Sequence, residues 1–331
     1  MSHSQPKLVY GAATIASNYG FDTDDKVQSF LDVVAAVGID TLDTALIYSD
    51  SEEVLGKAKA ASRFRIDTKF PGGFTSGPIT KESVVEAGKQ SLKKLQTASV
   101  DVFYQHAPSP QVPLEETLAG IDELYRAGAF KRFGLSNFTA AEVEDVIRVA
   151  KAHGFVLPTV YQGNYNAFSR RIEADLFPVL RKHGLAFYAY SPSAGGFLAK
   201  TADVLRQNSG TGRWDAGNPL GQLYTGLYVK APLLDGLDAW NAIAGAENVT
   251  GIELAYRWVA HHSRLDGTLG DAVIVGARTP EQLRESVGWI KKGPVSTAAA
   301  AKIDALWASI AADAPVDNYN SFFKQTGSKL A

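Results

Sequence analysis

Eight short apolar, β-prone segments recur along this chain, each followed by a stretch with helical periodicity. The segments are Lys7–Gly11, Ile39–Leu42, Arg65–Lys69, Val100–Tyr104, Arg132–Leu135, Thr159–Tyr161, Ala186–Ala189 and Ala272–Val275. Between them, Leu114, Leu118, Ile121 and Leu124 form one apolar stripe, and Val143, Val146, Ile147 and Ala150 form another. Such stripes cover a sheet from outside. From the second segment to the seventh, successive strand ends fall roughly 26 to 35 residues apart, the length of one βα unit. An alternating β and α order calls for parallel strands, and eight of them close into a barrel. The expected fold is therefore an α/β (β/α)8 TIM barrel. At 331 residues and 45% hydrophobic content, one barrel of about 250 residues with insertions accounts for the chain as a single domain.

Two helix starts are marked by capping boxes, Thr139-Ala-Ala-Glu142 and Thr279-Pro-Glu-Gln282, the second with proline at the first helical position. The rhythm breaks once. A much longer stretch separates the seventh and eighth strands, beginning SPSAGGFLAK, passing through NSGTGRWDAGNPLG and QLYTGLYVK, and ending in a helix over Ile252–His262. A long glycine-bearing insertion at a barrel mouth is expected to serve as a lid.

Thirty-three Lys and Arg against thirty-five Asp and Glu leave a formal charge of −2 without basic runs. That excludes the electrostatic footprint of a nucleic-acid or anionic-membrane binder and points to a small-molecule partner. With no cysteine, disulfides, thiolate metal sites and cysteine nucleophiles are ruled out, so redox chemistry needs a borrowed cofactor. No signal-like or membrane-spanning stretch is visible, which predicts a cytoplasmic protein. A strand–GxGxxG–helix unit and a Walker A loop are missing, GLSNF lacks the second glycine of a nucleophile elbow, and His261-His262 has no HExxH context. No metal site is expected.

Chemistry gathers where the strands stop. Asp43 and Tyr48 lie in DTALIY, Lys69 in DTKF and His106 in YQHAP, and the C-terminal ends of barrel strands all open on one face. Taken singly, these are turn residues, a half-buried aromatic and a solvated strand end. Together they supply what carbonyl reduction needs. Delivering a proton to a developing alkoxide calls for a donor with a pKa near the working pH. Tyrosine, at about 10, needs a neighbouring ammonium to favour the phenolate and a carboxylate to fix that ammonium. A neutral His106 would orient the carbonyl oxygen as in an oxyanion hole.

DTALIY, DTKF, YQHAP, GLSNF, VYQGNYN and YSP resemble the successive signature segments of the aldo-keto reductase family. Longer stretches, such as SLKKLQTASVDVFYQHAP and YRWVAHHS with GDAVIVGA, resemble its aflatoxin-aldehyde reductase branch. The resemblance implies NADPH-dependent reduction of aldehydes or ketones, with Asp43, Tyr48, Lys69 and His106 as the catalytic tetrad. It implies that Asp43 also touches the nicotinamide ribose, that Ser136, Asn137 and Gln162 hold the carboxamide, and that Tyr190 stacks on the nicotinamide. Ser191, Pro192, Ser193, Ala194, Gly195, Lys200 and Arg213 would follow the pyrophosphate. Gly276, Arg278, Gln282 and Glu285 would hold the adenosine end, although Gln282 is also the capping-box residue. Arg278 could pair with a 2′-phosphate through its planar fork, which favours NADPH over NADH. Homodimerisation is implied by the branch alone.

The branch's preference for carboxylate-bearing aldehydes rests on an arginine-rich stretch in the lid and an arginine near the C-terminus. Here the lid reads Leu223-Tyr224-Thr225-Gly226-Leu227-Tyr228 and the final DNYNSFFKQ has no arginine. Neutral or aromatic aldehydes are therefore expected, with Trp214, Tyr224 and Tyr228 as pocket walls beside Tyr48 and His106. Two alternatives use the same residues: an alcohol dehydrogenase or pyridoxal reductase, and an NADP-binding redox-sensing subunit.

Overall fold

A computed structural model describes residues 4–207, 214–215 and 217–329. Eight parallel strands pair in sequence order and close into a barrel through β1 and β8. They are β1 (Lys7–Gly11), β2 (Thr41–Asp43), β3 (Arg65–Phe70), β4 (Val100–Gln105), β5 (Phe130–Ser136), β6 (Pro158–Asn164), β7 (Ala186–Tyr190) and β8 (Ala272–Val275). All eight expected strands form. Their ends differ in a way that matters for the site: β2 starts two residues late and ends on Asp43, while β5, β6 and β7 run on to include Ser136, Gln162 and Tyr190. Polar residues stay in the ladder because the neighbouring strand supplies the partner, as in the pairs Ser136 with Gln162 and Asn164 with Tyr190.

Side chains along a strand alternate between the barrel interior and the surrounding helices. Val102 and Tyr104, Ala186 and Tyr188, and Ala272 and Ile274 pack together inside with Val9 and Val160. The opposite strand faces, including Phe103, Phe133 and Phe187, join a larger core beneath the helices. On β3 the same alternation puts Asp67 and Lys69 on one face, both fully buried.

The covering helices are α1 (Asp24–Ala36), α2 (Ser51–Lys57), α3 (Lys81–Leu95), α4 (Leu114–Arg126), α5 (Ala140–His153) and α6 (Ile172–Lys182). Both expected stripes are buried: Leu118, Ile121 and Leu124 on α4, and Val143, Val146, Ile147 and Ala150 on α5. The Thr139–Glu142 box is reciprocal, as read.

The insertion after β7 is mostly helical, with α7 (Ala202–Arg206), α8 (Pro219–Tyr228), α9 (Ala231–Ala246) and α10 (Gly251–His261). Prolines at the first turns of α8 and α9 begin helices there, where the missing N–H costs nothing. On α9, Gly236 is a packing surface: an added Cβ would come within 2.9 Å of Ile310. After β8 follow α11 (Pro280–Lys291) and α12 (Thr297–Ile310), and then a π-helical turn over Tyr319–Phe323. No helix among the described residues is long and apolar enough to cross a membrane.

Candidate active site

The C-terminal ends of the strands surround a cavity of about 810 Å³, within the range of small-molecule and cofactor sites. At its floor, Lys69 Nζ donates to Asp43 Oδ2 at 2.7 Å and to the Thr44 carbonyl at 2.7 Å. The second Asp43 oxygen accepts from Gln162 Nε2 at 2.8 Å. The ammonium stands 5.2 Å from the centroid of the Tyr48 ring. Tyr48 Oη in turn lies 3.4 Å from His106 Nε2. Four residues dispersed in sequence thus form one chain, from carboxylate to ammonium to phenol to imidazole.

Burial sets the protonation of this chain. His106 is held well below the usual imidazole range, first by desolvation and then by the Lys69 charge, so the ring is neutral at pH 7. A neutral ring protonated on Nε2 can donate toward an oxygen beside Tyr48 Oη. Deeper in the barrel, burial pushes the Asp67 carboxyl far up, helped by the nearby charges of Asp43 and Asp101. Tyr104 is pushed up likewise, and its ring also faces Lys69 at 5.5 Å. The ion pair of the Lys69 ammonium is with Asp43, at 2.7 Å.

His106 is fixed by its surroundings. Its ring meets Phe74 edge-on at 4.9 Å between centroids and Tyr48 at 5.5 Å. Phe74 reaches that position because Gly72 adopts φ 58° against the next loop, where an added Cβ would lie 2.0 Å from the Ala107 carbonyl. From the other side, Asn137 Nδ2 donates to the His106 carbonyl at 2.8 Å and to Ser136 Oγ at 3.0 Å. Its Oδ1 accepts from Tyr190 Oη at 2.7 Å.

These bonds change the reading of the expected carboxamide group. Gln162 lines the cavity, with its amide nitrogen spent on Asp43. Asn137 also lines it, but both ends of its side chain already bond to protein. Ser136 does not line it, being buried behind Asn137. Tyr190, Ser191, Pro192, Ser193, Gly195 and Lys200 all line the cavity, whereas Ala194 is buried beneath it. Ser191 and Ala194 at φ 53°, Gly195 at φ 66° and Gly196 at φ 94° put several left-handed residues into the segment after β7, a backbone of the kind that can present N–H groups to an anion. Arg213 lies outside the described residues.

At the β8 end, Gly276, Arg278 and Gln282 line the cavity. Gln282 accepts from the Arg278 backbone N–H at 2.9 Å rather than from Thr279, so the expected capping box is only half formed. Glu285 is exposed on α11 and does not reach the cavity. Trp214 and Tyr224 are cavity walls whose rings meet at 5.7 Å between centroids, and Trp214 Nε1 donates to the Gly195 carbonyl at 3.1 Å. Tyr228 is not a wall. Its hydroxyl is consumed by Asn164, Asn166 and Ser169 in a fully buried polar cluster, and its ring stacks on Phe197.

Sequence reading missed Tyr19, Ile47, Phe74, Asn318 and Phe323, all of which line the cavity. The C-terminal residues arrive through Phe74, whose ring meets Tyr319 at 5.3 Å and Phe323 at 5.2 Å. The aromatic cluster in DNYNSFFKQ was the available signal.

The sequence matches the Aldo/keto reductase family over residues 7–308. It is 39% identical to oxidoreductase sirO of Leptosphaeria maculans, covering 94% of this chain and 96% of that one. It is 35% identical to human aflatoxin B1 aldehyde reductase member 4, covering 95% and 98%. Human aldo-keto reductase family 7 member A3 is also 35% identical, over 95% and 98%. With the barrel and the convergence of Asp43, Tyr48, Lys69 and His106 at its mouth, these matches make the chain a member of the aldo/keto reductase family, an oxidoreductase of carbonyl compounds.

Proposed function

We propose that this enzyme reduces neutral, largely apolar or aromatic aldehydes with NADPH, using Tyr48 as the proton donor. The observation that carries the reading is the position of Tyr48 in an open cavity, its Oη 3.4 Å from a neutral His106 and its ring centroid 5.2 Å from the Lys69 ammonium. An aldehyde oxygen set between Tyr48 Oη and His106 Nε2 would receive two hydrogen bonds. When bound, the nicotinamide would supply a hydride to the carbonyl carbon. As the C=O π bond becomes an alkoxide, the Tyr48 proton passes to the oxygen. Lys69 stabilises the phenolate left behind, which is reprotonated from solvent. Asp43, 2.7 Å away, holds the buried ammonium in place.

Two cations support the cofactor reading. Lys200 and Arg278 line the cavity, and neither has a carboxylate partner among the described residues. An unpaired cation in a cleft suits a phosphate, and a guanidinium fork suits a 2′-phosphate. The left-handed residues after β7 fit a backbone cradle for the pyrophosphate.

The substrate side argues for an uncharged molecule. Besides Lys200 and Arg278, the only charged lining residue among those described is Asp43. Ile47, Phe74, Leu220, Leu223, Tyr224 and Phe323 supply apolar and aromatic wall. A panel measuring NADPH oxidation tests this directly. A nitrobenzaldehyde should give a kcat/KM at least about tenfold above succinic semialdehyde, about 1.4 kcal/mol in transition-state binding. The reverse order would refute the assignment of substrate class.

A further inference from the structure

Tyr19 has no part in the chemistry just described, yet it lines the same cavity while 41% exposed. It stands on a short turn, Ser17–Tyr19, that is pinned on both sides. The Ser17 backbone N–H donates to Asp50 Oδ1 at 3.0 Å, and the Ser17 hydroxyl donates to the other oxygen of that carboxylate. The next residues return the chain to the core: Gly20 closes the turn at φ 92°, and Phe21 packs edge-on against Phe30 at 5.3 Å. An exposed aromatic on so firmly held a turn has little conformational entropy left to lose on binding.

Across from it stands Arg278, also exposed to the cavity, with its guanidinium carbon 6.0 Å from the Tyr19 ring centroid. That distance is the outer limit of a cation–π contact. The two groups form an open jaw. A planar base interleaved between them needs about 7 Å, two contact distances of about 3.5 Å, so a side-chain adjustment of about 1 Å admits it. Gln282, whose Oε1 fixes the Arg278 backbone, holds the base of one jaw. The Asp50 carboxylate holds the other.

We propose that Tyr19 and Arg278 clamp the adenine base of the dinucleotide, with Tyr19 as a cofactor-binding residue on the β1 side of the mouth. The inference rests on the NADPH reading above and adds to it a stacking surface supplied by the first barrel loop. Base-on-aromatic stacking tolerates any planar π face. The clamp therefore strengthens binding, whereas the 2′-phosphate contact sets the choice between NADPH and NADH.

The test is calorimetric titration of wild type, Tyr19→Ala and Tyr19→Phe with NADPH and with adenosine 2′,5′-bisphosphate, which carries the base but no nicotinamide. Tyr19→Ala should weaken the bisphosphate by about tenfold and Tyr19→Phe by no more than about twofold, in keeping with the loss of one stacked base. Unchanged bisphosphate affinity in Tyr19→Ala, in a wild type that binds NADPH, would overturn the clamp and leave the cofactor reading intact. Equal losses in both variants would also overturn it, by assigning the effect to the hydroxyl. A wild type that binds neither ligand would instead remove the NADPH reading itself.

Discussion

Replacing Lys69 by methionine separates the two jobs of the buried ammonium. The side chain is fully buried and its ionic partner among the described residues is Asp43 at 2.7 Å, so Lys69→Met strands a buried carboxylate that keeps the Gln162 donor. Breaking a buried pair from one side costs about 3–5 kcal/mol, which in a chain of this size should lower Tm by about 4–7 °C. The catalytic loss has another origin. Negative charge developing on Tyr48 is attracted by the ammonium, which stands 5.2 Å from the centroid of the ring. At an effective dielectric constant of about 20, that attraction is about 3 kcal/mol, or about two-hundredfold in rate. The assay is kcat for aldehyde reduction at saturating NADPH, with thermal melts alongside. Adding Asp43→Asn to Lys69→Met removes the stranded charge, so the double variant should recover most of the lost Tm and none of the lost kcat. If the double variant regained kcat to within about fivefold of wild type, the ammonium would be serving the fold alone.

Three further outcomes follow from the same geometry. Burial pushes Asp317 from 3.8 up to about 6, against the lowering effect of the Asn320 hydrogen bonds. A carboxyl raised in the folded state contributes its stability in full below about pH 3.8 and loses it as pH rises through 6, a change of about 3 kcal/mol. Asp317→Asn should therefore gain Tm relative to wild type between pH 4 and pH 7, and a pH-independent difference would count against this. His106 shifts the other way. Depressed below 6.5 by burial and Lys69, it contributes stability fully above about pH 6.5 that is lost on acidification, and kcat should show no acid limb near 6.5. An acid limb there that disappears in His106→Gln would show a protonated imidazole instead. Gly195→Ala forces a Cβ to 2.1 Å from the Tyr224 ring at φ 66°. It should raise KM for aromatic aldehydes by about tenfold, with a smaller change in kcat, if the Trp214–Tyr224 wall contacts substrate.

Most of the barrel was legible because its periodicities are local. Alternation on Ala186–Ala189 and the stripes on α4 and α5 report burial within a few residues of sequence, and the capping box at Thr139 announces its helix directly. The insertion was harder to read. On α9, Leu233, Leu234, Leu237 and Trp240 are all buried, so apolar residues crowd the helix and blur its stripe, while Pro232, Gly236 and Gly245 read as loop. Tetrad residues were visible as types at strand ends, but their roles depend on contacts across the barrel. Nothing near Gln162 in sequence shows that its amide is spent on Asp43, 119 positions away. Tyr228 illustrates the opposite failure. Its neighbours suggested a pocket wall, yet three polar partners from the β6 loop draw its hydroxyl into the core. Phe323 and Asn318 join the site only by folding back from the C-terminus, which local patterning does not encode.

Tyr48→Phe tests the central claim most directly, since it deletes one oxygen and leaves the ring beside Lys69 and His106. Calorimetry should return an NADPH affinity within about threefold of wild type, while kcat for a nitrobenzaldehyde falls by at least about a thousandfold, the scale of a lost general acid. A variant that still reduces the aldehyde at the wild-type rate would take the proton donor away from Tyr48 and contradict the account.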